Sequence, residues 1–393
     1  MTTARAASGP LAGLRVVDLT DERGIYGAKL LADLGADVVR VEPPGGDPLR
    51  QRLPRLEDSP GAGESLWYAF FGSNRRSIEI DLGSSEGREQ LLALIRKRAD
   101  AVLDCGTLEA MRDEFEALRS ERPELVSVDV SSFGPDGPWK DYLAPDLVAG
   151  ALGGTVATTG DADTPPLNAF GELNFMVSGI YAAIATLAAL RHAARNGVGQ
   201  RVDVSTHECI ASCLEHVFMW YWYGERIPTC DGPVLPRQGS LHWSRSYVVL
   251  NGGNGAISVT PWPDPQAQLM WLVENDAHQD LLDPKWQEPG MLPKFLIRFL
   301  EVLGEWLPSQ DVRELFLEAQ QRHAPYGAVL PVDAVAENPQ LKARDWWVPY
   351  QVGGREVSGP GAPYALGDTP WSIGPSSEVG ADTASLLAEI GWD

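Results

Sequence analysis

The chain has 393 residues, enough for two or three domains, and 44% of them are hydrophobic, which supplies a large buried core. Its 32 lysines and arginines against 54 aspartates and glutamates give a formal net charge of −22, so neither nucleic acid nor an anionic membrane is expected as a general partner. The four cysteines are too few and too scattered for a disulfide scaffold.

The first half of the chain alternates short β-rich runs with helical patterns. Strands are predicted at 14–19, 37–41, 77–81, 101–103 and 125–128, with helices at 26–34, at 86–98 and in the segment ending at 119. Strands that alternate with helices of this length form βαβ units around a mainly parallel sheet. The predicted fold class is therefore α/β with an open, mainly parallel sheet.

A long helix is predicted at 173–196, because apolar residues recur at helical spacing and Gly197 follows a cationic last turn. A strand at 200–204 and a helix carrying residues 207–222 come next. From Gly224 onward proline, glycine and tryptophan become frequent, which indicates a smaller α+β domain at 225–325. The N-terminal stretch lacks the apolar core of a signal peptide, and no run approaches the ~20 apolar residues of a membrane span, so we expect a cytoplasmic protein.

Motifs of several other functions are missing or weak. No phosphate-binding G-x-x-x-x-G-K-[ST] is present, and the glycines at 150, 153 and 154 follow a predicted helix where a dinucleotide site needs a strand. Cys209, Cys213 and His216 share one face of a predicted helix, a pattern more typical of a buried core than of a zinc site. The sequence therefore predicts no bound metal and no permanently bound cofactor.

Arginines near the predicted strand ends are the best candidates for holding an anionic ligand against the negative net charge. Taken one by one, most of these arginines are expected to be solvated surface charges. Loops at the edge of an open α/β sheet collect ligands, and this adds weight to a binding role for arginines placed there. These residues are Arg40, Arg50, Arg52, Arg75 and Arg76.

Ordered motifs run along nearly the whole chain. The first are PLAGLRVVDLT at 10–20, LLADLGADVVRVEPPGGDP at 30–48 and NRRSIEID at 74–81. SFGPDGP at 132–138, PDLVA at 145–149, GVGQRVDV at 197–204 and ENPQLKAR at 337–344 follow. In their content, order and spacing these motifs resemble those of the family III CoA-transferases.

This resemblance implies an α/β large domain formed from both chain ends, 1–224 and 326–393, with the small domain at 225–325 between them. It also implies an interlocked dimer and coenzyme A or acyl-CoA as the substrate, exchanged with a carboxylic acid. The residues that the resemblance assigns to CoA binding are Arg40, Pro43, Asn74, Arg75, Arg76 and Cys105. His242 is a weaker candidate for the acyl pocket, with a structural histidine as the alternative.

Family III transferases attack the acyl thioester with an aspartate that opens a helix in a D-x-x-x-G pattern, and this chain departs from the pattern. The matching glycine is Gly179, so Phe175 occupies the nucleophile position. The racemases of the family place a catalytic histidine where this chain has Pro145, which leaves racemase chemistry unsupported.

Three interpretations follow. In the first, the chain is the non-catalytic subunit of a heteromeric enzyme, like the aspartate-lacking subunit of benzylsuccinate CoA-transferase, and a sibling chain supplies the aspartate. In the second, it is active through Glu172 as a substitute carboxylate, alone or as an interlocked homodimer. In the third, it binds acyl-CoA without catalysing a reaction.

Overall fold

The computed structural model describes residues 9–56, 65–161, 163–223, 237, 239 and 247–392. The chain divides into two compact units. The first takes in the residues up to Thr155, the segment Asn168–Leu214 and the residues from Pro339 onward, and the second consists of Val156–Leu167 and Glu215–Asn338.

Six parallel strands form the sheet of the first unit, in the order β3-β2-β1-β4-β5-β6. The predicted α/β class with a mainly parallel sheet is thus confirmed. The chain winds outward from β1 to β3 and then in the opposite direction from β4 to β6, which leaves a crevice where β1 and β4 meet. The strands are β1 (Arg15–Leu19), β2 (Asp37–Glu42), β3 (Arg76–Glu79), β4 (Ala101–Asp104), β5 (Val126–Ser131) and β6 (Arg201–Ser205).

Helices cover both faces of this sheet, and the strands are accordingly apolar on both sides. The helices are α1 (Ile25–Asp33), α2 (Leu66–Phe71), α3 (Ser85–Arg98), α4 (Arg112–Glu121), α5 (Asp146–Gly153), α6 (Leu173–Asn196) and α7 (Thr206–Ser212). Val17 of β1 belongs to an apolar cluster with residues of α3 and α4, whereas its neighbour Val16 belongs to one with residues of α1 and α6.

Helix α6 has the predicted bounds and is long and apolar enough to cross a membrane. In this structure it packs against α1, β5 and α7, and nearly half of its most apolar stretch is buried. Gly27 of α1 and Gly179 of α6 meet where the helices contact, since a Cβ on Gly179 would lie 2.9 Å from the Gly27 nitrogen. These contacts are those of a core helix.

The second unit is built around a three-stranded antiparallel sheet in the order β7-β8-β9. Its core includes the fully buried Trp271, Phe299 and Tyr326, and the Tyr326 hydroxyl donates a hydrogen bond to Gln268 at 2.9 Å. The elements are α8 (Glu215–Tyr223), β7 (Val248–Asn251), β8 (Ala256–Val259), α9 (Pro265–Glu274), α10 (Leu292–Trp306), α11 (Val312–Gln321), β9 (Gly327–Ala328) and α12 (Val332–Ala336).

The last part of the chain belongs to the first unit. Leu386 and Ile390 are buried in the same apolar cluster as Ile78 of β3, and the Asp382 carboxylate accepts a hydrogen bond from the Ser77 backbone at 3.0 Å. The elements of this segment are α13 (Pro339–Ala343), β10 (Trp347–Val352), β11 (Arg355–Pro360) and α14 (Thr383–Glu389).

Candidate functional site

A cavity of about 480 Å³ opens at the carboxyl edge of the parallel sheet. The ends of β1, β2, β3 and β4 and the loops that follow them form its wall, so it lies at the crevice between β1 and β4 where open α/β sheets bind ligands. Its lining residues are Leu19, Thr20, Asp21, Glu22, Arg40, Val41, Glu42, Pro43, Asp47, Pro48, Leu49, Ile80, Asp81, Leu82, Gly83, Cys105 and Thr107.

Ion pairs engage three of the five carboxylates in the cavity wall, one of them Asp21, which is paired with Arg23. Arg40 binds Asp47, and Arg50 binds both oxygens of Glu42 at 2.6 Å. Burial alone would raise the pKa of Glu42, but hydrogen bonds from Arg50 and Ser77 lower it below its usual value. The cavity is therefore much less negative than its five acidic side chains suggest.

Arg40 also joins a buried charge network beneath the cavity. Its Nη1 lies 3.0 Å from the fully buried Asp18, and Arg75 binds the other Asp18 oxygen. Burial would raise the pKa of Asp18, but the charges of Arg40 and Arg75 lower it. The Nε atom of Arg40 is buried without a hydrogen-bond partner within the described part of the chain.

Three of the six predicted CoA-binding residues, Arg40, Pro43 and Cys105, meet in the cavity wall. Asn74 and Arg76 instead lie at the amino end of β3, and neither lines this cavity. The Asn74 amide donates to Asp33 and to the Ser372 carbonyl, both at 2.6 Å.

Arg75 and Arg76 have different environments. The Arg75 side chain is buried and extends to Asp18. Arg76 is paired with Glu389 at 2.7 Å and lies 3.6 Å from Asp382. Arg76 is therefore held by α14 and the residues just before it.

Cys105 is held by an arginine that the sequence analysis did not single out. Arg23, in the loop after β1, donates to the Cys105 carbonyl at 3.0 Å and is paired with Asp21. Burial raises the pKa of the Cys105 thiol well above its usual value, and the charge of Asp21 adds to the effect. The thiol is therefore protonated at neutral pH and lines the cavity as a neutral group.

Phe175, which the sequence analysis predicts at the nucleophile position, lies in the first turn of α6. Only 4% of its surface is exposed, and it packs in an apolar cluster with Ala144, Ala149 and Ile210. Its backbone N–H donates to the Asp146 carboxylate at 2.9 Å.

Asp146 ties the start of α5 to the start of α6. Besides the Phe175 N–H, it accepts a hydrogen bond of 2.8 Å from the Asn174 amide. A carboxylate is favourable at the positive end of a helix, and Asp146 supplies one to α6. The sequence analysis placed Asp146 in a family motif but did not predict that it binds the start of α6. That contact joins residues 28 and 29 positions apart, so no local pattern indicated it.

Glu172 immediately precedes α6 and makes no hydrogen bond that caps it. One of its oxygens is bound by Arg52, and the other accepts a hydrogen bond of 3.1 Å from the Trp67 indole. The Arg52 guanidinium also lies over the Trp67 ring, 4.8 Å from its centre. Burial raises the pKa of Glu172 above its usual value, although Arg52 and Trp67 act in the opposite direction.

The remaining sequence candidates are His242 and the group of Cys209, Cys213 and His216. His242 lies outside the described residues. Cys209 lies on α7 and Cys213 just beyond it, and among the described residues no group of His, Cys, Asp and Glu has the geometry to hold a metal. The helix predicted through 207–222 is two helices, since α7 ends at Ser212 and α8 begins at Glu215.

Comparison with known proteins gives consistent matches over nearly the whole chain. The profile of CoA-transferase family III matches residues 11–383. The chain is 31% identical to the succinyl-CoA:(R)-benzylsuccinate CoA-transferase subunit BbsE of Thauera aromatica, over 96% of this chain and 93% of that one. It is 30% identical to the formyl-CoA:oxalate CoA-transferase of Streptomyces avermitilis, over 97% and 95%. A solved structure, a CAIB/BAIF family protein from Brucella suis, is similar with a TM-score of 0.83 and 26% identity, covering 98% of this chain and 100% of that one.

Proposed function

Since this chain belongs to CoA-transferase family III, we propose that it is the non-catalytic subunit of a heteromeric CoA-transferase. A sibling chain of similar length carries the aspartate of the D-x-x-x-G position. In this arrangement the present chain binds CoA at the carboxyl edge of its sheet, and the sibling forms the covalent intermediates.

The observation that carries this proposal is the environment of Phe175. A phenyl ring has no lone pair with which to attack a thioester, and covalent catalysis requires a nucleophilic side chain. The ring is buried among apolar side chains, and the adjacent carboxylate, Asp146, is engaged by the α6 backbone and by Asn174. The position has the properties of packed core.

Glu172 is a poor substitute for the missing nucleophile. Arg52 and Trp67 each engage one of its two oxygens, so an attack on a thioester would first break an ion pair or a hydrogen bond. Both oxygens of this carboxylate are therefore already engaged, which disfavours a nucleophilic role.

A partner chain is supported by two further observations. The name of the Thauera relative describes a subunit. In addition, α5 and α6 contact each other and both carry exposed apolar side chains, which suit an interface better than solvent. These side chains are Leu147, Val148, Leu152, Ile180, Tyr181 and Ile184.

The test compares the purified chain with the same chain co-expressed with its sibling. With succinyl-CoA as donor and benzylsuccinate as acceptor, we expect CoA exchange only from the pair, and we expect the sibling's Asp→Ala variant to abolish it. Exchange by the isolated chain, or an acyl or CoA adduct found on one of its peptides by mass spectrometry, would contradict the proposal. Tight CoA binding without exchange, even beside the sibling, would instead indicate an acyl-CoA-binding protein.

A further inference from the structure

Arg52 and Trp67 form a binding arrangement for one carboxylate, which we call the carboxylate clamp. The guanidinium binds one oxygen of Glu172, the indole N–H binds the other, and the guanidinium also lies against the face of the same indole ring. An arginine that is oriented before binding recognises carboxylates with both charge and direction.

Trp67 holds the clamp against the protein core, and Arg52 and Glu172 remain accessible to solvent. Trp67 packs against the apolar cluster that contains Leu49, Tyr68 and Phe71, and its ring centre lies 4.4 Å from that of Phe71. The side chains of Arg52 and Glu172 keep 32% and 22% of their surfaces exposed. The donors are thus held in place while the bound carboxylate can exchange with solvent.

The clamp lies next to both parts of the candidate site. Glu172 is three residues before Phe175, which is about 4.5 Å along a helix axis. Arg52 directly follows the short 3-10 helix Pro48–Gln51, whose Pro48 and Leu49 line the cavity. At about 2 Å per residue, some 6 Å of backbone separates Leu49 from Arg52.

The occupant of the clamp indicates the chemical class of the ligand. A glutamate side chain is two methylene groups ending in a carboxylate, which is also the free end of a succinyl group. Exchanging one such carboxylate for another keeps the ion pair with Arg52 and the hydrogen bond from Trp67. A monocarboxylic acyl group has no second carboxylate to offer once its first is a thioester.

We propose that the clamp binds the non-reacting carboxylate of a dicarboxylic acid or of its CoA thioester, and that Glu172 fills the clamp when this ligand is absent. The inference rests on the proposed CoA-transferase function and adds to it the residues that bind the second carboxylate of the substrate. On ligand binding Glu172 turns outward to solvent, and the ligand carboxylate takes its place on Arg52 and Trp67.

Isothermal titration of the isolated full-length chain with sodium succinate, and with butyrate as the monocarboxylate of equal carbon number, tests this directly. Because Glu172 competes for the clamp, we expect Glu172→Ala to bind succinate about tenfold or more tightly than the wild type. We expect Arg52→Gln to weaken succinate binding by about tenfold or more in both backgrounds, since a charge-assisted pair is lost. Butyrate should bind weakly throughout.

Arg112→Gln is the matched control, because Arg112, the first residue of α4, is an exposed arginine paired with Glu109. Circular dichroism establishes that each variant is folded, and Glu172→Gln, which keeps the side-chain length, replaces Glu172→Ala if the latter unfolds. Equal binding of succinate and butyrate, or succinate binding that is unchanged by Arg52→Gln, would overturn the inference. The readout is binding of free acids, so it is independent of whether the isolated chain exchanges CoA.

Discussion

Asp104, Asp129 and Asp203 occupy paired positions on β4, β5 and β6, so three carboxylates form one row across the sheet. The Oδ1 atom of Asp129 is buried without a hydrogen-bond partner among the described residues, and Arg201 approaches no closer than 3.5 Å. Burial, with the charge of Asp104, raises the pKa of Asp129 to about 6. The folded protein therefore stabilises the protonated form of Asp129. At neutral pH, however, the side chain is mostly ionised, and this costs folding free energy.

We predict that Asp129→Asn stabilises the protein at neutral pH. The folded chain binds the Asp129 proton more tightly than the unfolded chain, so this residue lowers the free energy of unfolding as pH rises from about 4 to about 6. Above that range asparagine removes a penalty of about 2–3 kcal/mol, at roughly 1.36 kcal/mol per pKa unit.

Urea unfolding at pH 4.5 and pH 7.5 checks this prediction, with the exposed Asp141→Asn as control. The advantage of Asp129→Asn should be larger at pH 7.5 and absent from the control. An advantage that is equal at both pH values would show that Asp129 does not titrate differently in the folded chain.

One buried carboxylate links β1 to β2 and to the residue just before β3. Asp18 on β1 binds Arg40 on β2 and Arg75 just before β3, and all three side chains are at most 4% exposed. A buried pair costs desolvation energy to form, but removing one partner leaves an unpaired buried charge. Loss of the Asp18 charge would remove the carboxylate that Arg75 binds and would leave Arg40 with Asp47 alone.

We therefore predict that Asp18→Asn lowers the free energy of unfolding by about 3–5 kcal/mol, because the asparagine keeps the shape but not the charge. Glu109→Gln is the matched control, since its pair with Arg112 is more than half exposed on both sides and its loss should hardly change the free energy of unfolding. Chemical denaturation of the two variants measures both values. If both variants lose a similar free energy of unfolding, the buried charge network around Asp18 contributes no more to stability than an exposed ion pair, and the prediction is wrong.

The elements were largely predictable because their signals are local. β-rich runs mark the strands, and apolar spacing followed by Gly197 sets both bounds of α6. The break between α7 and α8 was missed because it depends on polar side chains at a helix end. Ser212 donates to the Cys209 carbonyl at 2.7 Å and so satisfies a backbone group of the last turn of α7.

The candidate site was only partly predictable because its contacts are long-range. Arg40 lies near the end of the predicted strand at 37–41 and Pro43 follows it, so their position at the carboxyl edge could be expected. The clamp joins residues 120 positions apart, and Arg76 reaches a carboxylate 313 positions away. No spacing rule shows such pairs, and this is why Arg52 was noted only as a cation and Trp67 not at all.

The whole molecule combines a strongly negative net charge with local apolar surface on α5 and α6. General charge repulsion keeps identical chains apart, so a stable assembly needs a specific interface to offset it. The exposed apolar side chains of two adjacent helices are the best available candidates for the centre of such an interface, because fully buried interface cores are apolar and depleted of charge.

We predict a two-chain assembly close to twice the 42.7 kDa chain mass, formed with the sibling or with a second copy. Ile184→Glu should shift the assembly toward single chains, because Ile184 is 58% exposed on α6 and a carboxylate there would be desolvated at the interface. Size-exclusion chromatography with light scattering measures the mass. Leu317→Glu, at a similarly exposed apolar position on α11, is the control and should leave the mass unchanged. A wild-type mass of one chain in the presence of the sibling, or equal effects of both substitutions, would contradict an interface centred on α6.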